Sequence, residues 1–454
     1  MNAVPVPDAT TALRQDSDLR KLARRFAAAG FRAWAVGGSV RSRILGVPHA
    51  GEIDISTDAT PDEMRKFCRV VGEIGVGFGT LMVKEGNTVF ECTAFRKDVG
   101  ERDGRRPVSV EFSRDIAQDA SRRDFTMNAV YFDPLTDETF DPYEGASDLR
   151  AGRIRFVGNA ADRLREDSLR ALRFVRFSAR YGFSQDPAER LAAGSAMPRA
   201  AKLSGERLLG ELGKMLDDPS RVRAFRDLAE LGFLAAALPE LDALRRVPGG
   251  APYHLEGDVL THTLMVLDAV DAAVARVRNV PDAALPDADL HALRWAALFH
   301  DTGKSATFSA DADGRPHYFR HELYSARAFA AVSARLRIPK KTSSLAGWLV
   351  ENHALPHVVG EMRPAKSGLL MADPRYPALL ALACADVLGR VPVGTAHAQA
   401  ACDRYARFLA SGVMDRLLTG ADVMAKWPTL SGAGIGAKLR EENARILGEF
   451  FEGR

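Results

Sequence analysis

The sequence predicts an α+β protein: a small mixed sheet with helices at the N-terminal end, followed by an all-α remainder. Three observations carry this. Strand signals cluster in about the first 130 residues, and from about residue 155 onward Leu/Ala/Arg-rich helical patterns replace them. The stretch RVPGGAP at 246–252 places two prolines and two glycines in seven residues, which no helix propagates through. At 454 residues the chain exceeds one ordinary core. The expected divisions are a loose leader (1–16), a head (17–150), a helical neck (151–245), a linker (246–258) and a helical body (259–454).

Taken in order, residues 18–29 have helical spacing, and Phe31–Val36 reads as a strand entering the turn Gly37-Gly38. Thr57-Asp58-Ala59-Thr60 caps a helix over 61–70, with Pro61 at its first position. Strands over 80–84 and 88–95 flank Glu85-Gly86-Asn87, a hairpin signal. Arg96–Pro107 is a charged, glycine-containing loop, which either closes over a bound nucleotide or idles in solvent.

Hydrophobic content of 46% with 27% charged residues describes a soluble globular chain, and a net charge of +3 confines any nucleic-acid surface to a local patch. The cysteines Cys68, Cys92, Cys384 and Cys402 form no C-x-x-C pair, so neither a disulfide framework nor a zinc knuckle is indicated, and a reducing cytoplasm is expected. No stretch approaches eighteen uninterrupted apolar residues, and no signal-peptide pattern opens the chain.

The chemistry concentrates first around Val36-Gly37-Gly38-Ser39-Val40-Arg41 and Glu52-Ile53-Asp54. Residues i and i+2 of a strand share a face, so Glu52 and Asp54 converge on one point, as a Mg²⁺ site requires. The diglycine turn lets backbone N–H groups approach a polyphosphate, and Arg41 adds a charged fork. Phosphate cradle plus metal site is the equipment of nucleotidyl transfer. Glu91 lies mid-strand among apolar residues, where an unpaired acid is costly and a nearby cation removes the cost.

Two further segments carry clustered charge. Arg122-Arg123-Asp124-Phe125-Thr126-Met127-Asn128-Ala129 brings arginines, an acid and an amide into one or two helical turns; it either holds phosphate and ribose or is an amphipathic surface helix. In Glu166-Asp167-Ser168-Leu169-Arg170-Ala171-Leu172-Arg173, Asp167, Arg170 and Arg173 recur at i, i+3 and i+6, with Arg176 following. That stripe either presents donors and acceptors to a base edge or is a salt-bridged solvent face. In the second half, His262, His300-Asp301 and Asp386 fall on three helical segments and suit a divalent metal, a transition ion or Mg²⁺, that activates water, with His321 and His353 available to a second ion. Each histidine taken singly also fits an ordinary core or surface role.

The ordered set VGGSVR, E-x-D, FECTAFR, RRDFTMNA, EDSLRALR and Ser204-Gly205-Glu206-Arg207 resembles the bacterial class II tRNA nucleotidyltransferases, the CCA-adding enzymes and their poly(A) polymerase relatives, over about residues 30–230. The resemblance implies a polymerase β-like head, a helical neck, and two-metal transfer of CMP and AMP from CTP and ATP to a tRNA 3′ end. It implies nucleotide contacts at Gly37, Gly38, Ser39 and Arg41, Mg²⁺ ligands at Glu52 and Asp54, and a supporting acid at Glu91. It further implies ribose and phosphate contacts at Arg123 and Asp124, with Asp167, Arg170, Arg173 and Arg176 selecting the base and steadying the triphosphate; Asn128 and Glu166 beside them are further candidate nucleotide contacts. Two positions depart from the pattern: Glu52 is a methylene longer than the usual aspartate, and Ser42 replaces an acid. The second half resembles the HD phosphohydrolase domain. An A-only enzyme, a poly(A) polymerase, a hydrolase using the head to recognise RNA and a silent RNA-binding protein are the competing functions.

Overall fold

The computed structural model describes residues 16–48, 52–73, 79–99, 109–250 and 254–452, so the expected leader lies outside the described residues except for Asp16. Asp16 is already structural: its side chain accepts the N–H groups of Asp18 and Leu19 at 3.1 and 3.0 Å and caps the first helix. The chain forms two compact units, residues 1–203 with 230–233, and residues 204–229 with 234–454.

In the first unit the strands up to residue 140 are β1 (Ala33–Val36), β2 (Ile53–Thr57), β3 (Val70–Glu73), β4 (Thr80–Glu85), β5 (Thr88–Ala94), β6 (Arg96–Val99), β7 (Ser109–Phe112), β8 (Tyr131–Phe132) and β9 (Thr139–Phe140), and a further short parallel pair joins Arg153–Ile154 to Ser184–Gln185. Seven of them form one mixed sheet in the order β3-β4-β5-β2-β1-β8-β9, with β2 antiparallel to β1 and parallel to β5. Strand alternation sorts its two faces. Ala33, Ala35, Ile53, Ile55, Leu81, Val83, Phe90 and Cys92 enter a core shared with Leu19, Leu22 and Phe26 of α1 (Ser17–Ala28). The same core takes Met64 from the helix after the Thr60 capping box. Trp34 and Val36 face the other way, toward Phe95, Ala120 and Tyr131, and so do their cross-strand partners Ser56 and Asp54. The acids are thus carried on the face that the α1 core leaves open.

In this unit three expectations change. The loop expected over 96–107 begins as a strand, because Arg96–Val99 pairs with Ser109–Phe112; residues 100–108 lie outside the described set. Arg122–Ala129 is not one continuous helix: α2 (Gly38–Ile44) and α3 (Pro61–Phe67) are followed by α4 (Ile116–Ser121), which stops at Arg122, and only Thr126–Asn128 forms a short 3-10 turn. Phe125 is drawn into an aromatic cluster with Phe156 and Phe177 at 4.9 and 5.8 Å, and Thr126 N–H bonds Arg155 O instead of a preceding turn. Asp167 is off the helix that carries Arg170 and Arg173. It is an extended residue between α5 (Ala160–Glu166) and α6 (Leu169–Tyr181), and its Oδ1 accepts Leu169 N–H at 3.0 Å.

The second unit is helical and is built around α7 (Val259–Arg278), α8 (Leu290–Phe299), α9 (His321–Leu336), α10 (Lys340–Asn352) and α11 (Tyr376–Leu388), with α7 packed along α11 and α8 against α10. The stretch expected as a linker over 246–258 is instead an antiparallel hairpin, Pro248–Gly250 against His254–Asp258. Its backbone bonds go to distant partners, Val259 N–H to Val247 O at 2.9 Å and Leu255 N–H to Val391 O at 3.0 Å, which composition alone does not reveal. Among the described residues no helix is long and apolar enough to cross a membrane.

Candidate functional site

β1 ends at Val36 directly opposite Asp54, and the chain then bends at Gly37 with φ 70° and ψ −129° before entering α2. Only glycine occupies that backbone region without strain. A Cβ on Gly37 would lie 2.9 Å from Asp54 Oδ2 and 3.9 Å from Arg123 Nη1, so the carboxylate lies against the bend and Arg123 closes on the same point. Gly37→Ala is expected to cost about 1–3 kcal/mol in denaturant unfolding; an unchanged midpoint at unchanged slope would contradict this placement.

Asp54 is in register with Glu91 on the neighbouring parallel strand, and Glu52 is exposed just ahead of β2. Burial first, and then the charges of Asp54 and Glu52, push the Glu91 carboxyl above the usual glutamate range. Three oxygen-bearing acids that sense one another form a donor set suited to a hard divalent cation.

Behind them lies a network centred on Arg123 that also takes in Arg122 and Asn128 from the same segment, and Ser56, Asp119 and Tyr131 from outside it. The Arg123 guanidinium donates to Tyr131 OH at 2.7 Å, Asn128 O at 3.1 Å and Ser56 Oγ at 2.9 Å, and pairs with Asp119 Oδ2 at 3.1 Å. Asp119 is fully buried and also takes Arg122 at 2.6 Å and Tyr131 OH at 2.7 Å. Burial alone would raise its carboxyl, but Arg122 and Arg123 outweigh that and hold it at about 2. The i, i+3 and i, i+4 spacing from Asp119 to these arginines was the readable signal.

A second chain of contacts joins four expected residues. Arg41 donates to Asn128 Oδ1, Asn128 Nδ2 donates to Asp124 Oδ1 at 2.8 Å, and Arg173 Nε donates to Asp124 Oδ2 at 2.7 Å. Arg41 also donates to Tyr181 OH at 3.0 Å and lies over the Phe177 ring at 4.8 Å. Burial tends to raise the Asp124 carboxyl, yet Arg173 and the Asn128 amide hold it at about 2. Arg170 bonds Glu166 at 2.6 Å and the carbonyls of Arg163 and Arg122 at 2.9 and 2.8 Å, while Arg176 lies over Phe177 at 4.0 Å. Ser39 Oγ donates to Val36 O at 3.2 Å, closing the turn, and Gly38 opens α2. Asp167 is the expected residue whose hydrogen bond to Leu169 N–H stays within its own backbone turn.

In the second unit the expected His/Asp set meets. Asp301 Oδ2 lies 3.3 Å from His300 Nε2 and 3.7 Å from His262 Nε2, which in turn is 3.1 Å from Asp386 Oδ1. Asp301 Oδ1 lies 3.2 Å from His321 Nε2 and 3.8 Å from His353 Nε2. Donors held about 2.1 Å from one ion in a tetrahedron are separated by about 3.4 Å, and these spacings bracket that value. His300 Nε2 is buried without an aligned hydrogen-bond partner, and the Nε2 atoms of His321 and His353 face each other at 3.1 Å. Burial, and then the positive surroundings from His300, push His353 down to about 3, so its ring is neutral and ligand-ready. His254, Glu256 and His357, which stand outside the motifs recognisable in the sequence, adjoin the cluster; His357 Nε2 is 3.0 Å from Asp386 Oδ2.

Three protein-family models match the chain. Residues 33–155 match the Poly A polymerase head domain, 182–245 the "Probable RNA and SrmB- binding site of polymerase A", and 259–388 the HD domain. The multifunctional CCA protein of Paracidovorax citrulli is 36% identical over 344 residues, 73% of this chain and 75% of that protein. The CCA-adding enzyme of Geobacillus thermodenitrificans is 41% identical over 212 residues, 47% of this chain; the match spans about half of that relative, 52%. Among solved structures, the Bacillus stearothermophilus CCA-adding enzyme in complex with CTP aligns with a TM-score of 0.63 at 25% identity, covering 97% of this chain and 93% of that one.

Proposed function

This chain belongs to the family of the CCA-adding enzymes and multifunctional CCA proteins, and from that premise we infer that it adds C, C and A to tRNA 3′ ends, taking CTP and ATP without a template. The observation that carries this is Asp54 packed against the Gly37 bend, in register with Glu91. A divalent ion, assigned as Mg²⁺, would be held by Glu52 and Asp54 and would supply charge stabilisation at the transferring phosphoryl group. Glu91 adds negative charge to that site. The backbone of Gly37, Gly38 and Ser39, with Arg41, binds the triphosphate. Arg123, braced by Asp119 and Tyr131, presents a fixed guanidinium beside the acids, and Asp124 with Asn128 orients the ribose. Glu166 steadies Arg170, which with Asp167 selects the base; Arg173 and Arg176 steady the nucleotide on the same helix.

A phosphohydrolase activity in the second unit is favoured by one specific observation, the convergence of His262, His300, Asp301 and Asp386. Imidazole-rich donors favour a transition metal over Mg²⁺ there, and His321 and His353 with Asp301 would hold a second ion. Phosphate esters at RNA ends are the substrate class that suits a chain acting on tRNA 3′ termini. We place the protein in the cytoplasm, where the free Cys68, Cys92, Cys384 and Cys402 stay reduced.

The test offers tRNA transcripts lacking A, CA or the whole CCA together with labelled CTP and ATP. The expected result is completion of all three. Extension only of transcripts ending in CC would assign an A-only enzyme, and a growing A tail a poly(A) polymerase. Phosphate release from RNA ends that vanishes in His300→Ala while nucleotide addition survives supports the second activity.

A further inference from the structure

We propose that Glu256, in the hairpin ahead of the segment matched as the HD domain, is a positioning residue for the metal site of the second unit, fixing the ring of His262 through Nδ1. The proposal rests on the reading of His262, His300, Asp301 and Asp386 as metal ligands.

A histidine binds metal through one ring nitrogen only when the other is committed, and what the other nitrogen meets sets both tautomer and basicity. Three histidines of the cluster meet this need locally. The Nδ1 atoms of His300, His321 and His353 lie 2.8, 2.9 and 2.8 Å from the carbonyls of Ala297, Tyr318 and Val350, each three residues earlier, which turns Nε2 toward Asp301. His262 has no such partner. The carbonyl three residues before it, Val259 O, accepts Thr263 Oγ1 at 2.8 Å, and His262 Nδ1 instead lies 2.9 Å from Glu256 Oε1, a close charge contact that is out of line with an aligned hydrogen bond. Its Nε2 then faces Asp386 and Asp301.

The carboxylate is itself firmly held. The Glu256 side chain is 2% exposed, its Oε1 is 2.9 Å from His254 Nδ1, and its Oε2 accepts Val391 N–H at 2.9 Å. Leu255 N–H bonds Val391 O at 3.0 Å, so the strand carrying Glu256 is anchored to the chain just beyond α11, the helix of Asp386. A buried acid is costly without such partners, and here the cost is offset by the rings of His254 and His262 and the Val391 N–H. A carboxylate makes the opposite nitrogen a stronger donor than a carbonyl does, so His262 is set apart from the other three.

The experiment measures the affinity of Co²⁺ and Zn²⁺ for the full-length chain by competition with a chromophoric chelator, and records the Co²⁺ absorption band. In Glu256→Gln the affinity is expected to fall about 10–100-fold and the band to shift, with far-UV circular dichroism unchanged. Glu256→Asp should recover part of the loss, and His254→Ala, which removes one of the groups holding the carboxylate but leaves the Val391 N–H and the contact to His262, should lose less affinity than Glu256→Gln. Wild-type affinity with an unshifted band in Glu256→Gln overturns the proposal. If Glu256→Gln fails to fold, Glu256→Asp decides: a folded variant of intermediate affinity supports it, and an affinity loss no smaller in His254→Ala overturns it. Wild-type protein that takes up neither ion removes the metal reading itself, a separate failure seen before any variant is compared.

Discussion

Asp54→Asn is expected to lower kcat for nucleotide addition at least about 10³-fold, roughly 4 kcal/mol of transition-state stabilisation. The substitution keeps shape and removes one charged oxygen from the position opposite Val36 and beside Glu91. A folding defect is not expected. The three acids repel one another in the absence of a cation, and Glu91 is raised above its usual range by burial, then by Asp54 and Glu52. A raised carboxyl binds its proton more tightly in the folded than in the unfolded state, so metal-free stability falls as pH climbs from the ordinary carboxylate range through the raised value. Asp54→Asn removes part of that penalty, and denaturant unfolding of the metal-free variant should show a weaker decline over this window. Activity within tenfold of wild type, or a stronger decline with pH, would contradict the assignment.

Asp301→Asn is expected to empty the second unit of metal. Each oxygen of this one carboxylate faces a different pair of rings, Oδ2 toward His300 and His262 and Oδ1 toward His321 and His353, and Lys304 Nζ lies 2.7 Å from Oδ2. An amide is neutral and offers a single acceptor, so neither group of donors keeps its shared anion. Elemental analysis after loading should find the head ion alone. Phosphate release should be lost and nucleotide addition retained. His353→Ala, which touches only the Oδ1 side, should lose one ion fewer. Metal content unchanged by Asp301→Asn would refute a site centred on this residue.

The head was legible because its logic is local or periodic. An E-x-D pair on a strand, a diglycine bend and an acid on the next strand are fixed by alternation, and the register Val36–Asp54–Glu91 needed only the correct strand neighbours. Asp167 was misplaced because spacing by three and six assumes an uninterrupted helix, whereas the backbone breaks between Glu166 and Leu169. The same assumption failed at Arg123–Asn128, where the pull of Phe125 into an aromatic core outweighed helical propensity. Tyr131 and Ser56 carried no charge pattern, and their place beside Asp119 depends on pairing across the sheet. The histidines in the second half were recognisable as an ordered set. Glu256 was hidden in a segment whose prolines and glycines read as linker, and its partners His262 and Val391 are joined to it by folding rather than by spacing.

Anomalous diffraction from Mn²⁺-soaked crystals, recorded with a bound non-hydrolysable CTP analogue, locates the divalent ion of the head. A peak is expected between the carboxylates of Glu52 and Asp54 beside the Gly37 bend, and it should be lost in Asp54→Asn. A first unit with no peak there, or with the ion held away from Asp54, would contradict the assignment of these acids as its ligands.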